Sequence, residues 1–139
     1  MVRVIMGPKG TGKTKQMIEM VNDAARKEDG NVVCIERGPK LTYDIDYRAR
    51  LIEAGQFDMT DLHFLKGFIS GLYAGNYDIS QVFIDSLFKI IPQCSMEETE
   101  DFLNWCENFG KANDISFTIM ITADADEATP GIRKYFDRE

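Results

Sequence analysis

The sequence predicts an α/β protein built on a doubly wound, mostly parallel sheet of about five strands with helices on both faces. Three observations predict it. Apolar runs of strand length alternate with segments of helical periodicity. Most of those runs are continuous rather than alternating, which suits parallel strands covered on both faces. The first run also passes through a glycine-rich bend directly into a helical segment. The 139 residues read as one domain, residues 1–139, with no repeat, linker or low-complexity stretch.

In chain order, Val2, Arg3, Val4, Ile5 and Met6 make a short β-branched strand. Met17, Ile18, Met20, Val21, Ala24 and Ala25 then recur at helical spacing over 13–28, closed by Asp29, Gly30 and Asn31. Residues 31–36 form an apolar strand ending in the carboxylate Glu36, and Gly38 and Pro39 break the chain after it. Leu41, Tyr43, Ile45 and Tyr47 alternate with polar residues. A turn near Asp46 and a return strand over 50–53 would make this a β-hairpin across 41–53, with a helix as the alternative.

Thr60 reads as the N-cap of a helix carrying Leu62, Leu65, Phe68, Ile69, Leu72 and Tyr73, with His63 on the other face. Residues 81–86 form the next strand, ending in Asp85. Ser95 and Glu98 make a capping box for a helix over 95–111, whose core face holds Phe102, Leu103, Cys106 and Phe109. Residues 116–121 give a last parallel strand with Thr122 at its end. Thr129 and Pro130 are an N-cap and first-turn pair opening a short helix with Ile132, Tyr135 and Phe136.

The bend from Gly7 to Thr14 fits G-x-x-x-x-G-K-[ST], the phosphate-binding loop pattern. On average residue usage a chance match in a chain this long is about one in two hundred. Gly7, Gly10 and Gly12 let the chain take positive φ and turn its amides inward, with Pro8 and Thr11 between them. Those amides and the helix N-terminus make an anion nest. Lys13 then reaches the β- and γ-phosphates and the Thr14 hydroxyl holds Mg²⁺. Lys9 and Lys15 are further phosphate contacts, with solvated lysines as the alternative. Asp85, ending a hydrophobic strand, reads as a Walker B aspartate facing the Mg²⁺ shell, or else as a cap of the following turn. Gly7, Glu36, Asp85 and Thr122 all fall at strand carboxyl ends, where ligands of such sheets bind. Asp124, Asp126 and Glu127 read as a solvated acidic loop, with a metal site as the alternative.

The formal net charge of −7 disfavours broad nucleic-acid binding, which needs a basic surface. It does not disfavour ATP. Cys34, Cys94 and Cys106 form no C-x-x-C pair, so no zinc or redox motif is read, and Cys34 and Cys106 are expected to be buried thiols. A reducing cytoplasm fits. No apolar run approaches membrane length, and the N-terminus enters a strand too soon for a signal peptide.

The order of these motifs resembles the RecA-like ATPases among the P-loop NTPases, and small stand-alone bacterial P-loop proteins. The resemblance rests on the loop 7–14, on the second strand ending Ile35, Glu36, and on the run Val82, Phe83, Ile84, Asp85, Ser86. The last strand, ending Ile121, Thr122, resembles the one that carries the γ-phosphate sensor. It implies ATP and Mg²⁺ as ligands, Lys13 and Glu36 as catalytic residues, with Glu36 polarising the attacking water, and Thr14 and Asp85 as metal ligands. Those ATPases take a cation from a neighbour, and no residue of this sequence matches it. Arg37, Arg48, Arg50 and Arg133 are candidates by type alone. The DNA-binding loops of the family are not matched, so its DNA function is not implied.

The expectation is a slow Mg-dependent ATPase acting through a protein partner or self-assembly, with the 41–47 segment as a pairing edge. The alternatives are a non-hydrolysing ATP-dependent switch, and a small-molecule or nucleoside kinase. Neither the cysteine module and lasso of thymidine kinases nor a clear adenylate kinase lid is visible.

Overall fold

Among the described residues five strands form one sheet: β1 (Val2–Gly7), β2 (Asn31–Glu36), β3 (Ala49–Glu53), β4 (Ile79–Ile84) and β5 (Ser116–Thr122). Their order is β1-β5-β4-β2-β3, and every pairing is parallel. The structure is a computed structural model that describes residues 1–27, 29–38 and 44–136. Among the described residues five helices connect or flank the strands: α1 (Lys13–Lys27), α2 (Leu62–Gly75), α3 (Leu87–Ile90), α4 (Met96–Asn113) and α5 (Pro130–Arg133). Single 3₁₀ turns occupy Ala54–Gln56 and Ala125–Glu127.

The central strands are buried on both faces, so their side chains sort into two cores by the two-residue period of a strand. On one face Val32, Cys34, Phe83 and Met120 pack with Met17 and Val21 of α1. On the other, Val33, Ile35, Val82, Ile84, Phe117, Ile119 and Ile121 pack with Leu65 and Ile69 of α2 and Phe102, Leu103 and Cys106 of α4. Helices therefore cover both faces, as the continuous apolar runs predict. Each fully buried large side chain contributes about 1.5–3 kcal/mol.

The boundaries follow local chemistry. Ser95 and Glu98 form the expected capping box, with the Ser95 hydroxyl accepting from the Glu98 amide at 3.0 Å. Thr129 caps α5 with Pro130 in its first turn. The cap of α2 is Asp61 rather than Thr60: its carboxylate accepts from the Phe64 amide at 2.8 Å. A carboxylate is the stronger acceptor and also favours the positive helix end.

The hairpin reading needs correction. Residues 41–43 lie outside the described residues, and 44–48 form turns rather than a strand. The return strand exists as β3, but it pairs parallel with β2, from Val32 opposite Ala49 to Glu36 opposite Glu53. The turn before it is fixed from α1, because the Asn22 side chain donates to the Asp44 carbonyl at 2.9 Å and accepts from the Asp46 amide at 2.7 Å. Alternation over four residues reports one wet face, and says nothing of strand direction.

The far edge, β1, is partly covered by the chain's own later residues: the Val4 amide donates to the Tyr135 carbonyl at 2.8 Å, and Val4 bridges Phe136 in parallel. Among the described residues, no helix is long and apolar enough to cross a membrane.

Candidate functional site

Because all five strands run the same way, their carboxyl ends share one edge. There Gly7 lies opposite Thr122, and the Ala123 amide donates to the Gly7 carbonyl at 3.1 Å. Ile35 lies opposite Ile84, and the Asp85 amide donates to the Ile35 carbonyl at 2.9 Å. Glu36 and Asp85 are thus neighbours in register, and Gly7 and Thr122 form the other pair.

Between β1 and α1 the loop takes the expected positive φ at two of its three glycines and not at Gly7. Gly10 and Gly12 have φ of +87° and +79°, the left-handed region where a side chain is strained. Gly7 is close-packed instead, since a Cβ there would stand 3.3 Å from the Thr11 hydroxyl. The Lys13 ammonium donates to the Pro8 carbonyl at 2.7 Å and to the Thr11 hydroxyl at 3.1 Å, and that hydroxyl donates to Pro8 at 2.9 Å. Pro8 and Thr11 therefore set the position of Lys13. The first-turn amides of the 15-residue α1 have no intrahelical acceptor.

A cavity of about 290 Å³ opens at this point, lined by Lys9, Gly10, Gly12, Lys13, Thr14, Ser86, Lys89 and Thr122. Six of the eight were singled out in the sequence. Gly7, Pro8 and Thr11 frame the loop without lining the cavity, and Lys15 is exposed on α1 outside it. Asp85 and Glu36 do not line it and are buried, at 5% and 4% exposure.

The electrostatics place these groups in one field. Burial lowers the Lys13 pKa; the Asp85 carboxylate opposes that shift and the Lys89 ammonium adds to it. Burial, then Asp85, then Glu36 push the Cys34 thiol far up, so Cys34 is an inert core residue between two carboxylates. Cys106 is buried as expected. His63 is exposed on α2. In the acidic loop, Asp124 accepts from the Asp126 amide at 3.0 Å and so caps a turn.

Sequence reasoning named Ser86 only as the end of the β4 run, not as a site residue, and did not single out Lys89. Ser86 follows the β4 aspartate directly, and its backbone at φ 52°, ψ 66° swings the chain into α3. Nothing in the sequence announces left-handed backbone at a serine, so the approach of Lys89 to the loop was not legible.

The residues present fit a magnesium-bound triphosphate. The cavity supplies ammonium groups and helix-start amides for phosphate oxygens. Thr14 and Asp85 offer the hard oxygen ligands that Mg²⁺ prefers. Among the described residues no aromatic side chain lines the cavity. No protein-family model matches this chain, and no curated protein does so either.

Proposed function

We propose that this chain binds Mg·ATP at the 7–14 loop and hydrolyses it slowly, as a cytoplasmic P-loop ATPase of RecA-like type. The observation that carries the reading is the cavity itself, where Lys13 and Thr14 meet Thr122 and Ser86 at the carboxyl edge of a parallel sheet. An ordinary glycine turn gives no reason for a lysine folded across its own loop beside a buried aspartate.

In this reading the loop amides and Lys13 bind the triphosphate. Thr14 holds Mg²⁺ directly and Asp85, buried and outside the cavity lining, holds it through water; when bound, the ion neutralises phosphate charge. Thr122 orients the terminal phosphate, and Glu36 takes the proton of the attacking water. Lys9 adds a phosphate contact from the outer rim. A protein partner or a second copy would respond to the loaded state, and no nucleic acid or membrane is required.

One observation favours a second reading, the ATP-dependent switch without hydrolysis. Glu36 is 4% exposed and does not line the cavity, so it can act only on a water that reaches behind the phosphate site.

Glu36→Gln separates the two. Under the ATPase reading, single-turnover conversion of ATP to ADP stops while the Kd for Mg·ATP stays unchanged. Tight binding with no turnover in either protein establishes the switch. Absence of saturable binding of both Mg·ATP and Mg·GTP removes both readings.

A further inference from the structure

Three lysines, Lys9, Lys13 and Lys89, line one small cavity in a protein of net charge −7. Like charges gathered on a cavity repel unless an anion sits between them. Lys9 and Lys13 belong to the loop itself. Lys89 comes from the other side, on the turn that follows β4.

Its backbone is held at both ends. The Lys89 amide donates to the Ser86 carbonyl at 2.8 Å, and the Arg37 guanidinium donates to the Lys89 carbonyl at 3.2 Å. Leu87 and Ile90 are buried on either side of it, at 0% and 4% exposure, which anchors α3 and leaves Lys89 on the solvent side. The left-handed Ser86 sets this direction, because the chain is still pinned to β2 at Asp85. Among the described residues no ion pair involves the Lys89 ammonium.

We propose that Lys89 is the cation of this site, supplied by the same chain, and that it takes up charge developing on the transferring phosphoryl group. The inference rests on the ATPase reading above and deepens it. In the step concerned, water oxygen bonds to the γ-phosphorus. The bond from that phosphorus to the β,γ-bridging oxygen breaks, and its electron pair leaves with ADP. The water proton goes to Glu36. Lys89 forms no covalent bond and moves no proton; its field acts on the phosphoryl oxygens. A cation borrowed from a neighbour, as in RecA-like ATPases, is then unnecessary, and a partner would have another role.

The test uses the full chain with Lys89→Met, which keeps the apolar stem, and Lys89→Arg, which keeps the charge. Three quantities are read: single-turnover kcat, Kd for Mg·ADP, and Kd for Mg·ADP with aluminium fluoride as transition-state analogue. Lys89→Met should lower kcat by about 10²-fold and weaken the aluminium fluoride complex by a similar factor. Its Mg·ADP affinity should stay within about threefold. Lys89→Arg should restore most of both, and the rate per chain should not depend on protein concentration.

An unchanged kcat in Lys89→Met overturns the proposal and leaves the ATPase reading standing. So does equal weakening of the ADP and aluminium fluoride complexes, and so does a rate per chain that climbs with protein concentration. Wild-type protein that binds Mg·ATP without turning it over overturns it as well. Wild-type protein that binds no nucleotide removes the ATPase reading first, and this with it.

Discussion

The Lys13 ammonium donates to the Pro8 carbonyl oxygen at 2.7 Å, so the lysine that opens α1 lies back across its own loop. Burial lowers its pKa from 10.5. Between that lowered value and 10.5 the unfolded chain holds more protons than the folded one. Folding therefore gains slightly as pH rises through this window, while anion binding loses its ammonium. Mg·ATP affinity should decline as pH rises towards 10.5, starting below that value. Titrations across this range check it; an affinity flat up to pH 10.5 contradicts it.

Ser86 holds φ 52° beside the buried Asp85. A β-branched residue is a steric outlier there. Ser86→Val should lower stability by about 1–3 kcal/mol, whereas Ser86→Gly should be at least as stable as the wild type. Urea unfolding of the two variants measures the difference. Equal stability of valine and glycine would show that the turn relaxes freely.

Gly110, near the end of α4, is buried against the Ile115 carbonyl. That oxygen belongs to the backbone leading into β5, so it cannot yield as a side-chain tip would. Gly110→Ala should cost about 1–3 kcal/mol despite the higher helix propensity of alanine. A thermal melt at or above the wild-type midpoint would refute this contact.

The three thiols should differ in reactivity. Cys34 and Cys106 are buried, and burial pushes both pKa values up. Cys94 is only half-buried; burial raises its pKa while a hydrogen bond with Thr99 opposes the shift. Alkylation of the folded protein at mild alkaline pH should modify Cys94 first and Cys34 only on unfolding, as read by peptide mass spectrometry.

Much of this architecture is legible in the sequence because local and tertiary demands agree there. The strand before Gly7, the glycines needing positive φ, the Ser95 and Glu98 box and the Thr129 and Pro130 pair each specify their conformation within a few residues. The edge is different. Residues 41–47 carry a polar alternation that fits either strand direction, and β3 pairs parallel with β2, its Ala49 and Ile52 joining the two cores. The choice of Asp61 over Thr60 as cap is a one-residue competition between two good acceptors. Lys89 reaches the cavity only through the unusual turn at Ser86, and such a turn is set by packing of Leu87 and Ile90, which no short motif encodes.

Calorimetric titration of the folded wild-type chain and of Lys13→Ala with Mg·ATP tests the phosphate site most directly. The wild type should give a saturable one-site isotherm. Loss of one charged hydrogen-bonding group costs about 1.5–3 kcal/mol, so the variant should bind at least tenfold more weakly while its melting temperature stays close. No binding by the wild type, or the same isotherm from both proteins, would contradict it.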